Sequence, residues 1–289
     1  MKSLSPSNRA ITRLPPWLKK RVISGGSTAR VVRALEEFRL KTVCREALCP
    51  NMMECFARGT ATFLVLGDTC TRNCGFCGVK KGRPEDIKGE EDEPERLVRA
   101  ARLLGLDHVV VTSVTRDDLP DGGSAHFSRI VLALKEGCNG LRIEVLVPDF
   151  RGARDDVLRV LEAGPHVFTH NVETVPRLYP GVRPEANYNR SLRVLDFARK
   201  GCKNIRVKSG LMLGLGEKKE EVFKVLENLL HAGCDTVTIG QYLRPSRNHL
   251  PVDRFLTPEE FEEFGETARE LGFPEVFSGP FVRSSYCIV

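Results

Sequence analysis

The sequence predicts an α/β fold, a partial (β/α)6 TIM-type barrel with an N-terminal cysteine-rich extension and a C-terminal tail closing over the active site. Three observations predict it. From Thr60 onward, six strand-like apolar runs alternate strictly with helical patterns. Each run is continuously apolar rather than two-faced, as in a parallel sheet covered on its outside. Polar residues gather just after the strand ends, and every strand contributes some. That favours a barrel rim over an open sheet, which would concentrate function at one switch point. Six units are fewer than a full barrel needs, so one side is expected to stay open.

Taken in order, Met1 to Ser27 is polar and proline-containing and reads as an irregular arm over the core. A helix is expected over 28–40, through Val31, Val32, Leu35 and Phe38, with Ser27 or Thr28 as its cap. Strands are expected at 60–66, 108–115, 141–147, 166–172, 204–212 and 236–243. The charged, Gly- and Pro-containing stretch 78–95 reads as a loop. Helices are expected at 95–104, 124–135, 155–163, 189–200, 218–231 and 258–271, the last capped by Thr257. The expected rim comprises Cys70 to Cys77, Thr112 to Asp118, Pro148-Asp149, Asn171 to Glu173, Lys208-Ser209 and Gln241-Tyr242.

The chain has 289 residues, enough to bury a core without staples. It is 41% hydrophobic and 28% charged, ordinary for a globular protein. A net charge of +6, with scattered basic residues, permits an acidic partner but does not demand nucleic acid. Met1 to Arg21 lacks a signal-peptide core, and no apolar run approaches a membrane span. A cytoplasmic location is therefore expected, with no membrane and no nucleic acid as partner. There the ten cysteines stay reduced, and clustered reduced cysteines point to metal or catalysis.

Six of those cysteines fall in two groups of three. The second group is Cys70-Thr-Arg-Asn-Cys74-Gly-Phe-Cys77, directly after the first barrel strand. A structural zinc site pairs two close ligands with two more elsewhere, so three close thiolates without a fourth make a poor zinc cage. Three thiolates do suit a cubane iron–sulfur cluster with one iron left open. Gly75 allows a tight fold around such a cluster, and Phe76 can shield it from water. The first group, Cys44, Cys49 and Cys55, is weak alone: core packing and half a zinc site are alternatives. Beside the loop it suggests a second cluster. Neither group has a fourth cysteine nearby. The remaining cysteines, Cys138, Cys202, Cys234 and Cys287, are candidates; the first three follow glycines at helix ends and look like small buried residues.

The loop's spacing, its aromatic and its position resemble the radical S-adenosylmethionine superfamily. The resemblance implies that Cys70, Cys74 and Cys77 hold a 4Fe-4S cluster. Its open iron would bind S-adenosylmethionine, whose cleavage yields a 5′-deoxyadenosyl radical. With Cys44, Cys49, Cys55 and the terminal Arg283-Ser284-Ser285-Tyr286, the chain resembles the lipoyl synthase family. Val111-Thr-Ser-Val-Thr-Arg-Asp-Asp, His170-Asn-Val-Glu-Thr-Val, Lys208-Ser-Gly-Leu-Met-Leu-Gly and Gln241-Tyr-Leu-Arg-Pro-Ser agree, and the likeness runs from near Leu14 to Tyr286. It implies a second, sacrificial 4Fe-4S cluster on Cys44, Cys49, Cys55 and Ser285. An oxygen ligand is harder than a thiolate and suits a cluster meant to be dismantled.

Two sulfurs would enter C6 and C8 of an octanoyl chain on a lysine of a lipoyl carrier protein, either a lipoyl domain or a glycine-cleavage H-type protein. A flavodoxin or ferredoxin would donate electrons. Ser285 and Arg283 are the expected catalytic residues, and Asn171, Glu173 and Thr112 the expected contacts to S-adenosylmethionine. Asp118 and Asp121 are expected to shape their turn, and His108, His166 and His231 to be structural. The chain departs from the family pattern by reading Tyr286-Cys287-Ile-Val at its end, where Cys287 could compete with Ser285 for iron. It also has Arg244 in place of a glutamine. The expected organisation is an extension (1–59) with the auxiliary cysteines, a barrel (60–272) and a tail (273–289), in one compact unit. The alternatives are another two-cluster sulfur-inserting or maturation enzyme, a biotin-synthase-like enzyme, and a metal-stabilised binding module.

Overall fold

The structure is a computed structural model describing residues 13–20, 26–58, 60–84 and 92–285. Ten strands are found among these residues: β1 (Lys41–Thr42), β2 (Thr62–Val65), β3 (Thr69–Cys70), β4 (Lys80–Lys81), β5 (His108–Ser113), β6 (Arg142–Leu146), β7 (Val167–Thr169), β8 (Arg206–Leu213), β9 (Thr236–Gln241) and β10 (Glu275–Gly279). Eight of them form one sheet in the order β1-β2-β5-β6-β7-β8-β9-β10. From β2 to β10 every pairing is parallel, and β1 adds antiparallel to β2. Sheet order follows chain order because each crossover carries a helix back over the same face. The edges of the sheet are β1 and β10. The remaining two strands, β3 and β4, pair separately and in parallel.

The helices cover the sheet for the reason their spacing predicts. Glu93–Leu104 buries Leu97, Ala100, Ala101 and Leu104 on one face and ends at Gly105, whose φ of +64° suits a residue without Cβ. Pro258–Leu271 begins with reciprocal caps. The Glu260 amide donates to Thr257 Oγ1 (3.3 Å), and Glu260 Oε2 accepts from the Thr257 amide (2.9 Å).

Four features differ from the sequence reading. A seventh parallel strand, β10, lies where the tail was expected; Glu275-Val-Phe-Ser-Gly is a half-buried edge strand without a continuous apolar run. The first helix spans Gly26–Glu37, stopping early because Arg39 takes a left-handed φ of +50°. Lys208 and Ser209 sit within β8, not past its end. The stretch 78–95 contains β4 and the first turn of the next helix, and residues 85–91 are outside the described ones. Most of the expected arm (1–27) also lies outside them.

Lys208 instead enters a buried polar cluster in the N-terminal half of the barrel strands. Its Nζ donates to Glu144 Oε1 (2.9 Å), which also accepts from Thr169 Oγ1 (2.8 Å). His108 Nε2 lies 3.5 Å from the other carboxylate oxygen. Burial alone would raise the Glu144 carboxyl, but His108 and Lys208 hold it below its ordinary value. Lys208→Ala would strand this carboxylate, so it is expected to cost about 3–5 kcal/mol of stability in urea unfolding. A Lys208→Met, Glu144→Gln double variant is expected to recover most of that loss.

Candidate active site

The strand C-termini surround a cavity of about 310 Å³. Cys70, Cys74 and Cys77 line it, and the pairing of β3 with β4 closes the base of their loop. Distant segments hold the loop by its backbone. The Thr71 amide donates to Thr115 O (3.0 Å), the Gly75 amide to Val182 O (2.9 Å) and the Leu250 amide to Gly75 O (3.0 Å). His249 Nε2 lies 3.0 Å from Cys77 O. Gly75 is closely packed: a Cβ there would stand 2.8 Å from the Leu250 side chain, which would have to shift.

The strongest anchor is Arg72, which is 5% exposed. Its Nε and Nη2 donate to Asp117 (2.6 and 2.9 Å), and its Nη1 and Nη2 donate to Asp149 (2.9 and 2.6 Å). Two bidentate pairs fix the loop to the segments after β5 and β6. Burial would raise the Asp149 carboxyl, but the Arg72 guanidinium holds it far below the usual carboxylate range.

The first cysteine group spreads over two short helices, Val43–Glu46 and Met52–Ala57, and the turn between them. Cys49 lines the cavity. Cys44 is buried beside Thr62, with Cys49 and Cys55 close enough to act on its thiol. Burial pushes Cys44 and Cys77 up to about 12, and Cys74 upward as well. These thiols keep their protons until a metal displaces them. Among the described residues, no three His, Cys, Asp or Glu side chains converge on one point. Cubane ligands each take a separate iron and so surround the cluster rather than converge.

The tail crosses this space on a floor of glycine. A Cβ on Gly240 would lie 2.1 Å from Val282 O, and one on Gly210 3.3 Å from Ser284 Cβ. Asn51 Nδ2 donates to Phe281 O (2.7 Å), tying the tail to the first cysteine group. Asn171 Nδ2 donates both to Ser284 Oγ (2.9 Å) and to Glu173 Oε1 (3.0 Å). Arg283 and Ser285 line the cavity, and Arg283 lies in the field of Cys49 and Glu173. Glu173 holds a left-handed φ of +65°, and burial raises its carboxyl. Thr112 also lines the cavity, although its hydroxyl donates to Leu146 O (2.8 Å). Tyr286 and Cys287 are outside the described residues, and with them the question of Cys287 as an iron ligand.

Arg183 escaped the sequence reading, because Val-Arg-Pro forms no motif. Its buried guanidinium lines the cavity beside Cys74 and Glu173. Nη1 donates to Asn171 O (2.9 Å) and Val172 O (3.2 Å), but Nε has no partner. Asn171 Oδ1 is buried and unpartnered too. Two orphaned polar atoms on one wall fit a polar ligand. Other expected residues serve the scaffold. Asp121 accepts from the Gly123 and Ala125 amides (both 2.9 Å), and Asp118 pairs with Arg116. His166 Nδ1 accepts from the Ile143 amide (3.0 Å), and His231 Nδ1 lies 2.7 Å from Glu227 O. Cys138 and Cys202 cap helix ends that lead into β6 and β8, and Cys234 is buried just before β9, all at the far end of the strands.

A mostly parallel sheet presenting a three-cysteine loop at its strand ends defines a radical S-adenosylmethionine protein, and the profile of the Radical SAM superfamily matches residues 64–229. The fold is similar to that of Streptococcus suis SuiB bound to S-adenosylmethionine, with a TM-score of 0.58, 11% identity and coverage of 78% of this chain and 54% of that one. The Lipoyl synthase of Caldicellulosiruptor saccharolyticus is 53% identical over 275 residues, 95% of this chain and 96% of the relative. That of Caldicellulosiruptor bescii is 55% identical over 272 residues, 94% and 93% of the two chains. The chain belongs to the lipoyl synthase family. No helix among the described residues is long and apolar enough to cross a membrane.

Proposed function

We propose that this chain inserts two sulfurs at C6 and C8 of an octanoyl group on a lysine of a lipoyl carrier protein, either a lipoyl domain or a glycine-cleavage H-type protein. The observation that carries this is one cavity lined by all three loop cysteines, by Cys49 and by Ser285. Soft thiols in two groups of three, with one serine oxygen, fit two 4Fe-4S clusters. Cys70, Cys74 and Cys77 would hold one, and Cys44, Cys49, Cys55 and Ser285 the other. When bound, the clusters supply the electron that cleaves S-adenosylmethionine and the sulfur that enters the product.

The chain's own residues bind and orient. Arg183 offers a fixed cation to the carboxylate of S-adenosylmethionine, and Asn171 and Glu173 offer acceptors to its amino and ribose groups. Thr112 closes the wall between β5 and β6. Arg283, between Cys49 and Glu173, steers the substrate amide and the Ser285 ligand. The extension (1–59) and the tail beyond β10 bring their ligands to the barrel as one unit, the tail closing over the cavity. Electrons would come from a flavodoxin or ferredoxin, in the cytoplasm.

The test is anaerobic incubation of the reconstituted protein with an octanoyl-lysyl peptide, S-adenosylmethionine and a reductant. A dithiolated peptide is expected, from protein holding about eight irons and eight sulfides. Product that survives combined Ser285→Ala and Cys44→Ala would overturn the assignment of the sulfur donor. S-adenosylmethionine cleavage without sulfur transfer by the intact protein would favour another two-cluster radical enzyme.

A further inference from the structure

The mouth of the cavity concentrates positive charge that the chemistry inside does not use. Leu48 and Pro50 are exposed lining residues, so the cavity opens beside them. Gly78 is wedged between two neighbouring segments: a Cβ there would stand 3.2 Å from Ala47 O and 3.3 Å from Pro245 Cβ. Segments 43–50, 78–84 and 243–249 therefore meet at the opening. They carry Arg45, Lys80, Lys81, Arg83, Arg244 and Arg247, all exposed, against the single carboxylate of Glu46. The whole chain has a net charge of only +6, so these cations are a local concentration.

None of the six forms a salt bridge with another described residue. Among the described residues, the nearby acids are already taken. Asp68 is paired with Lys41 and Asp118 with Arg116, and Lys80 and Arg83 act on them only as weaker, more distant charges. Arg244 is spread over the carbonyls of His249 and Arg247, which holds its charge at the rim. Among these cations stands Leu48, 60% exposed and held at a left-handed φ of +53° that a leucine rarely adopts.

We propose that this rim is the docking surface for an acidic protein domain carrying the acylated lysine. Leu48 packs at the centre of the contact, and the cations face carboxylates around the modified side chain. The inference rests on the function proposed above and adds the surface that selects the partner. A lysine-borne chain that enters the cavity brings its parent domain against whatever rings the mouth, and exposed charges there set encounter rate and partner choice. A nucleic acid would also be attracted by six cations, but it offers no acyl arm to the cavity.

The test compares two substrates on the full-length reconstituted protein: a short neutral octanoyl-lysyl peptide and an octanoylated acidic carrier domain. The variant combines Arg83→Glu and Arg247→Glu, two exposed side chains outside the site. KM for the carrier domain is expected to rise about tenfold with kcat unchanged, while the peptide is processed as by the wild type. The wild-type preference for the carrier is expected to fade as salt is raised to about 0.3 M. An unchanged carrier KM, or equal losses on both substrates, would overturn the proposal. So would tighter wild-type binding of short duplex DNA than of the carrier. Failure of the wild type to modify the peptide would instead count against the proposed function. Docking is then read from direct titration of the carrier, where equal affinities for wild type and variant would refute it.

Discussion

Replacing Cys74 with alanine is expected to remove about half of the iron and sulfide and to abolish cleavage of S-adenosylmethionine, whereas replacing Cys49 with alanine is expected to remove the other half and leave cleavage intact. The asymmetry follows from where the two thiols sit. Cys74 belongs to the loop that Arg72 and four backbone contacts fix at the strand ends, beside Arg183 and Glu173. Cys49 belongs to the separate short-helix segment that lines the same cavity, in the field of Arg283 on the tail. A Cys49→Ala enzyme should form 5′-deoxyadenosine from S-adenosylmethionine without dithiolated product; a Cys74→Ala enzyme should form neither. Iron and sulfide analysis, with chromatography of both products, measures this. Loss of cleavage in Cys49→Ala equal to that in Cys74→Ala would show that the two cysteine groups do not act separately.

The second large effect is expected at Arg72, which no part of the chemistry calls for. Arg72→Ala would leave Asp149, whose side chain is fully buried, with Arg190 as its one remaining cation at 3.2 Å. Breaking a buried pair by removing one partner typically costs about 3–5 kcal/mol. Here the cost falls on the cluster loop, so iron at that site is expected to be lost to a chelator much faster, while iron at the other site is retained. Arg72→Lys restores charge but not the double fork and should recover only part of the effect.

The pH dependence has a definite sign. Arg72 holds the folded-state pKa of Asp149 below its unfolded value, so the stabilisation is complete above roughly pH 4 and is lost as pH falls towards the folded value. Chelation rates of wild type and variant should therefore differ at neutral pH and converge in acid. Equal rates at neutral pH would show that the clamp does not hold the loop.

The parallel strands were legible because runs such as β2 and the centre of β5 are apolar or β-branched and buried on both faces, a pattern that survives without tertiary knowledge; β6 and β9 mix in Glu144, Thr236, Thr238 and Gln241 and were carried by the alternation with helices. The strand β10 was not, because an edge strand needs only one partner and Glu275-Val-Phe-Ser-Gly carries no apolar run. The cysteine groups were legible from spacing alone, and their meeting at one cavity, at least through Cys49 and the loop, required the fold. Arg183 and Arg72 stayed hidden for a different reason. A buried arginine is defined by what surrounds it: Asp117 and Asp149 lie 45 and 77 positions from Arg72, and Glu173 comes beside Arg183 only through the fold of the segment between them. Lys208 misled because a polar residue inside a strand resembles one at its end, until its buried partner Glu144 is seen.

The last sheet strand stops at Gly279, leaving five residues before Ser285. A chain that short spans at most about 20 Å when fully extended. On the proposed assignment, Ser285 would leave an iron by rearranging only this short segment and its ties to Asn51 and Asn171, with β10 left in place. Detachment and recapture would then be a short-leash event rather than a refolding event. Lengthening the leash by several glycines, with every ligand left in place, would be expected to slow recapture while sparing the barrel.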